Sequence, residues 1–178
     1  RARGSLIPQV FAGRIWPTLS PLYRRRLCDA IGAWSPTRVL EDWDYDCRAA
    51  LLCNRLHYVA EPVAVVRYHN GDHAGRAWQA NPQAMRDRVN AYVRVLGYAQ
   101  QAGCTNSLPV MRQLVRSMFW MAREAGACGL AVESRQLFEL SRTNADPAGL
   151  DYRAYRMLAG LLGWVGAGRL SRVLEKWR

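Results

Sequence analysis

The spacing of hydrophobic residues along this chain changes near residue 80. Upstream of that point, short apolar runs typical of strands alternate with helical patterns, whereas downstream only helical spacing recurs. We therefore predict a mixed α and β region over residues 1–75 and an all-helical region over residues 80–178, joined by the loop NGDHAGRAW. The chain as a whole is predicted to be dominated by helices.

The first region is predicted to hold two helices and two short strands. The apolar positions of residues 22–33 indicate a helix that ends at Gly32, and those of residues 39–53 indicate a second helix with Trp43 on its apolar face. Asn54 suits a left-handed residue that would end this second helix. Two runs typical of strands follow, LHYVA and PVAVVRYH.

Four helical patterns are predicted in the second region. Most of them are closed by Gly or Asn, which favour the left-handed backbone at a helix end, and no strand pattern interrupts them. They are NPQAMRDRVNAYVRVLGYAQQAG, SLPVMRQLVRSMFWMAREAGA, LAVESRQLFELSRTN and DYRAYRMLAGLLGWVGAGRLSRVLEKWR.

The net charge of +11 comes almost entirely from arginine. Such a balance suggests a polyanionic partner: a nucleic acid, an anionic membrane surface or a phosphate-bearing substrate. The alternative is that the arginine content reflects only the base composition of the genome. Nucleic acid is the least favoured of the three. The arginines are scattered, and the sequence contains no helix-turn-helix signature, RNP aromatic pair, GXXG loop or zinc finger.

The cysteines and the lengths of the apolar runs indicate the cellular compartment in which the protein is expected to work. The five cysteines are dispersed and contain no CxxC pair, so neither a disulfide framework nor a zinc site is expected. The amino terminus shows no signal-peptide pattern, and no run approaches the roughly 20 apolar residues that span a bilayer. We expect a cytoplasmic location, either free or peripheral to the inner face of the membrane.

Residues 41–46, with the sequence EDWDYD, hold four of the fourteen acids of this basic chain. Asp42 and Asp46 are four residues apart and share one helix face, where they repel each other. Asp44 is expected to pair with Arg48 one turn later, which leaves Asp42 without an obvious local partner. A carboxylate at a helix start beside an aromatic ring suits a general base toward a hydroxyl. The alternative is an ordinary acidic helix start whose aromatic ring packs in the core.

The ordered series SPLYRRRLCDAIGAW and LEDWDYDCRAALLCNRLHYVAEPVAVVRYHN resembles the second half of the catalytic domain of family-2 glycosyltransferases. The family's usual line has an "rr..l..iG.wd" helix, an "ED.dl..R" helix and a "p.....r.h" strand, matched here over residues 20–72. The resemblance implies an α/β fold, part of a glycosyltransferase A-type domain over residues 1–75, followed by a helical tail. It also implies inverting transfer from a nucleotide-sugar donor to a glycan or lipid-linked acceptor in cell-surface polysaccharide synthesis.

The same resemblance assigns roles to individual residues. Asp42 matches the second residue of the ED motif, the general base that deprotonates the acceptor hydroxyl. Glu41 would help to position the acceptor, and Trp43 would offer an apolar face to a sugar ring. His69 matches a histidine that in some members ligates the divalent metal, Mg²⁺ or Mn²⁺. Arg67 lies two residues earlier, on the same face of the predicted strand, where it would either meet phosphate or simply lie at the rim.

The sequence departs from the family at its start. Residues 1–38 contain no Asp-x-Asp metal motif, and the two literal matches inside residues 42–46 belong to the predicted helix rather than to a strand end. His73 is an alternative to His69 as metal ligand. By itself the chain is expected to be catalytically silent, as a fragment lacking the nucleotide-binding half or as a decayed relative.

A second hypothesis is a non-catalytic, basic helical interaction module. The last predicted helix mixes apolar residues with arginines, a pattern that docks a partner protein or an anionic membrane surface. The apolar residues are Met157, Leu158, Leu161, Leu162, Val165 and Leu170, and the basic ones are Arg153, Arg156, Arg169, Arg172, Lys176 and Arg178. The alternative is an ordinary amphipathic helix packed on its neighbours.

Overall fold

The structure, a computed structural model, describes residues 3–62, 64–65, 81–145 and 149–175. Within these ranges the chain forms six α-helices, one 3-10 turn and a two-stranded sheet, so the prediction of a helix-dominated protein is confirmed. The elements in chain order are β1 (Arg3–Ser5), the 3-10 turn (Gln9–Phe11), α1 (Arg25–Ile31), α2 (Glu41–Leu52), β2 (Arg55–His57), α3 (Pro82–Gln101), α4 (Pro109–Ala127), α5 (Ala131–Asn144) and α6 (Leu150–Glu175).

The sheet joins the amino-terminal segment to the residues that follow α2. β1 and β2 are antiparallel, with Arg3 opposite His57 and Ser5 opposite Arg55. The first predicted strand run is therefore shorter than expected, and its partner is the amino-terminal segment. The second predicted run lies largely outside the described residues, and its described residues form no strand.

Asn54 does not end α2 in the left-handed conformation, so that prediction is wrong. Within the described ranges, Leu40 is the only residue other than glycine with positive φ, at 60°. The Asn54 side chain instead accepts hydrogen bonds at Oδ1 from the backbone N–H groups of Leu6, at 2.8 Å, and Ile7, at 2.7 Å. It thereby fastens the segment after β1 to the end of α2.

The four helices predicted downstream of residue 80 are confirmed as α3 to α6. The start of α3 shows a local cause: Pro82 stands in the first turn, and the Asn81 side chain accepts from the N–H groups of Gln83 and Ala84. None of the described helices has the length and apolar content that crossing a membrane requires.

One hydrophobic core extends through both predicted regions. Phe11 and Trp43 from the first region belong to the same buried cluster as Met85, Met118 and Phe138 from α3, α4 and α5. Trp43, predicted to lie on the apolar face of this helix, does face the core, together with Cys47 and Ala50. The predicted division at residues 75–80 stays a prediction, but the described parts on either side are packed against each other.

Helix α6 lies on α4 at very short range. A Cβ atom on Gly168 would come within 2.4 Å of the Ala127 backbone nitrogen, and one on Gly126 within 2.5 Å of the Trp164 carbonyl oxygen. Such distances exclude any side chain at either position unless the backbone moves. At Gly163 the helical geometry is interrupted, with φ 70° and ψ 166°, so α6 consists of two helical segments.

Candidate carboxylate site on helix α2

Trp43 belongs to the core rather than to a binding surface. Its side chain is 3% exposed, and its indole N–H donates to the Val10 carbonyl oxygen at 2.7 Å. The ring also meets Tyr92 edge to face, at 5.2 Å between centroids. This corrects the expectation that Trp43 presents an apolar face to a sugar, because no face of a ring packed in this way is free to stack on one.

Asp44 fixes α2 to its neighbours through a buried carboxylate. Its carboxylate, 1% exposed, accepts from Arg48 Nε at 3.0 Å, Arg94 Nε at 2.8 Å, Ser35 Oγ at 2.7 Å and Tyr98 OH at 3.2 Å. The predicted pair with Arg48 is therefore confirmed. Burial alone would raise the pKa of Asp44, but the hydrogen bonds from Ser35 and Arg94 and the two guanidinium charges outweigh it and lower the pKa.

Among the described residues Asp42 has no side-chain partner on α2, in line with the expectation, and its side-chain partners come from the loop before α1. Its Oδ2 atom is 2.6 Å from Arg14 Nη1 and accepts from Thr18 Oγ1 at 2.8 Å, while Oδ1 accepts from the Trp43 N–H at 2.7 Å. These contacts use most of the roughly four acceptor positions of an ionised carboxylate. The side chain retains 17% exposure, so Asp42 lies at the edge of the surface with its remaining acceptor capacity on Oδ1.

Asp46 lies on the same face as Asp42 but deeper, with its side chain 5% exposed. Tyr23 donates its hydroxyl to Oδ1, and Arg14 Nε is 3.7 Å from Oδ2. Trp16 lies close to Asp46 and opposes the rise of its pKa, although neither Trp16 Nε1 nor Asp46 Oδ2 has a hydrogen bond of normal geometry. Burial, with a contribution from the Asp42 charge, dominates, so the pKa of Asp46 is raised.

Arg14 is the residue that sequence reasoning missed, and it is the one that brings the site together. It lies against both carboxylates of the Asp42 and Asp46 pair, which would otherwise repel each other. A basic residue is to be expected beside Asp42 and Asp46, because the two carboxylates lie on one face of α2. The sequence offers 25 basic residues, however, and no pattern in the loop that holds Arg14 distinguishes it from the others.

Of the remaining predicted site residues, Glu41 is the one that the structure describes. Glu41 is half-buried and makes no hydrogen bond or ion pair with any residue the structure describes. Arg67, His69 and His73 lie outside the described residues, so their roles stay predictions. In the part of the chain that is described, no group of three or more His, Cys, Asp or Glu side chains is arranged to hold a metal ion.

No protein-family model, curated protein or solved structure matches this chain. The resemblance to family-2 glycosyltransferases therefore rests on the residues of segment 20–72 alone, and the function it implies is a proposal.

Proposed function

We propose that residues 1–75 are the acceptor-side part of an inverting, family-2-type glycosyltransferase with a glycosyltransferase A-type fold. The reaction transfers a sugar from a nucleotide-sugar donor to a hydroxyl group of a glycan or lipid-linked acceptor, in cell-surface polysaccharide synthesis. The observation that carries the proposal is the place of Asp42: it is the aspartate of α2 that stays partly exposed, whereas Asp44 and Asp46 are buried.

The packing of α2 supports a structural role for some of its acidic residues and a substrate-binding role for others. Asp44 and Arg48 occupy the later acid and the arginine of the "ED.dl..R" line, and they form a buried pair that fixes the helix. A structural task for these two residues leaves the first two acids of the series, Glu41 and Asp42, for contact with a substrate. Both are only partly buried, which a residue that touches an acceptor requires.

In the proposed step, the acceptor hydroxyl oxygen forms a bond to the anomeric carbon while the bond from that carbon to the nucleoside diphosphate breaks. The diphosphate leaves with the bonding electrons, and Asp42 takes the hydroxyl proton. Arg14 and Thr18 crowd Oδ2, so the acceptor approaches Oδ1 or displaces Arg14. A divalent cation bound with the donor would stabilise the departing charge; its predicted ligand is His69, and no step is assigned to the cation.

The test is Asp42→Asn in the full-length protein that contains this chain. Transfer of labelled sugar from UDP-, GDP- and dTDP-linked donors to a membrane extract is expected to fall at least about a hundredfold, the usual contribution of a general base. UDP binding by calorimetry should stay nearly unchanged. Asp29→Asn is the matched control, because Asp29 is an exposed acid whose partner is Arg25 on the surface of α1.

An Asp42→Asn variant that still transfers sugar would reject the role of base. Thr18→Val separates chemistry from structure, since it removes one contact to Asp42 and leaves the carboxylate. If Asp42 only holds the loop, the two variants will lose thermal stability and transfer to a similar extent. If Asp42 is the base, the Thr18 variant will keep more than about a tenth of the transfer activity, because its base is still present. Loss of the base itself would lower transfer by at least about a hundredfold.

A further inference from the structure

The first segment of α6 exposes a continuous apolar stripe. Leu150 is 79% exposed, Met157 68% and Leu161 76%, and Ala154 between them is exposed as well. These positions follow the spacing i, i+4, i+7 and i+11, which places them in one line along a helix. Large apolar side chains exposed in a row, rather than scattered singly, usually mark an interaction surface.

The stripe points away from the described parts of the fold. On the opposite side of the helix, Tyr152 and Tyr155 are buried and pack on Phe119 of α4, at 4.3 Å and 5.5 Å between ring centroids. The packing of the first segment of α6 within the described fold is thus achieved by its tyrosine side, and the stripe takes no part in it.

The charge beside the stripe is positive and uncompensated. Arg153 and Arg156 are exposed along one flank, and neither makes a hydrogen bond or ion pair with any described residue. The acids of α6 do not offset them, because Asp151 and Glu175 both pair with arginines of α4. The chain as a whole adds a net charge of +11.

We propose that this face of α6 docks on an anionic membrane surface. The stripe of Leu150, Ala154, Met157 and Leu161 would enter the boundary between headgroups and acyl chains, while Arg153 and Arg156 would meet lipid phosphates. A second copy of the chain fits this face poorly, because it would bring the two unpaired arginines of each copy together. The proposal goes beyond the glycosyltransferase function and does not depend on Asp42.

The test is cosedimentation of the full chain with mixed phosphatidylglycerol–phosphatidylcholine vesicles and with pure phosphatidylcholine vesicles. The chain is expected to bind the mixed vesicles only, with binding that weakens as salt rises. The double variant Met157→Gln with Leu161→Gln is expected to lose binding. Arg153→Gln with Arg156→Gln should weaken it roughly 25-fold, about fivefold for each charge near the surface.

The matched control is Val132→Gln with Arg135→Gln on α5, an exposed apolar residue and an exposed arginine outside α6, which should bind as the unmodified chain does. Failure of the unmodified chain to bind mixed vesicles, or full binding by the stripe variant, would overturn the proposal. So would displacement from vesicles by inorganic phosphate that sodium chloride at the same ionic strength does not cause, which would indicate a free-anion site. A dimer that the stripe variant disrupts, without vesicle binding, would assign the face to a second copy instead.

Discussion

Three aspartates on α2 lie within five residues of one another and have different neighbours. Asp44 meets two guanidinium groups, Asp46 meets a tyrosine hydroxyl, and Asp42 meets Arg14 at the surface. Burial opposes the charge of both inner acids, yet the pKa of Asp44 is lowered and that of Asp46 is raised. The direction depends on whether fixed cations and donors outweigh the loss of water, so one residue type supports different tasks on one helix.

Replacement of Asp44 by Asn is expected to destabilise the fold by about 3 kcal/mol at neutral pH, because it leaves Arg48 and Arg94 without their anion. The folded-state pKa of Asp44 is lowered, so its stabilisation is present above the unfolded value near 4 and is lost as the pH falls through the folded value. The difference in the free energy of unfolding between wild type and variant, measured by urea unfolding, should therefore become smaller as the pH falls.

Asp29→Asn supplies the comparison for that prediction. Asp29 pairs with Arg25 on an exposed part of α1, and surface pairs of this kind contribute little. The urea midpoint of the Asp29→Asn variant should therefore stay close to that of the wild type at every pH. An Asp44 variant that behaves like the Asp29 variant would show that the buried network does not stabilise the fold.

At the scale of elements, the contact between α4 and α6 depends on glycine. Gly126 and Gly168 face each other at a crossing where added Cβ atoms would meet backbone atoms. Backbone cannot rotate aside as a flexible side chain does, so the two helices approach closely only because both positions lack a side chain. This contact holds the second segment of α6 in place and lets Arg172 reach Glu124, at 3.0 Å.

Gly168→Ala is expected to cost about 1–3 kcal/mol, the range for overpacking, and to lower the thermal midpoint. Gly160→Ala is its matched control on the same helix. A Cβ atom there meets nothing within 4 Å, so alanine should stabilise the helix by about 0.5–1 kcal/mol through its better helix propensity. Equal effects of the two substitutions in thermal unfolding would contradict the close crossing.

At the scale of the molecule, the mixed region and the helical region share one core. Phe11 and Trp43 are buried together with residues of α3, α4 and α5, and Asp44 reaches across to Arg94 and Tyr98 of α3. Tyr92 of α3 covers part of the apolar face of α2, because it packs on Trp43. Separation of the two parts would therefore expose it to water, at a cost of about 25 cal/mol for each Å² of apolar surface.

The chain is expected to unfold in a single cooperative transition. Circular dichroism at the helix band and tryptophan fluorescence should give the same midpoint, since Trp43 and the helices belong to one core. Residues 1–75 expressed alone should show little helix, because the partners of α2 on α3 are missing. Two separate transitions, or a folded 1–75 fragment, would indicate two independent domains.

Local spacing was sufficient for much of the fold and for part of the site. The helices follow from apolar periodicity, the start of α3 from Asn81 and Pro82, and the pair of Asp44 with Arg48 from a separation of four residues on a helix. Asn54 shows the limit of local rules. Its amide suits a left-handed helix end, but hydrogen bonds to a segment 47 and 48 residues away took precedence.

By itself the sequence determined where the helices lie, that α2 begins with an acidic turn, and that the protein is strongly basic. The first two properties depend on neighbours within one or two helical turns, and the charge depends on composition alone. Only the tertiary structure decided that Arg14 lies against Asp42 and Asp46, that Trp43 is buried, and that the stripe on α6 is uncovered among the described residues. Such outcomes depend on which distant segments meet, and a loop without periodicity carries no signal of the helix it will contact.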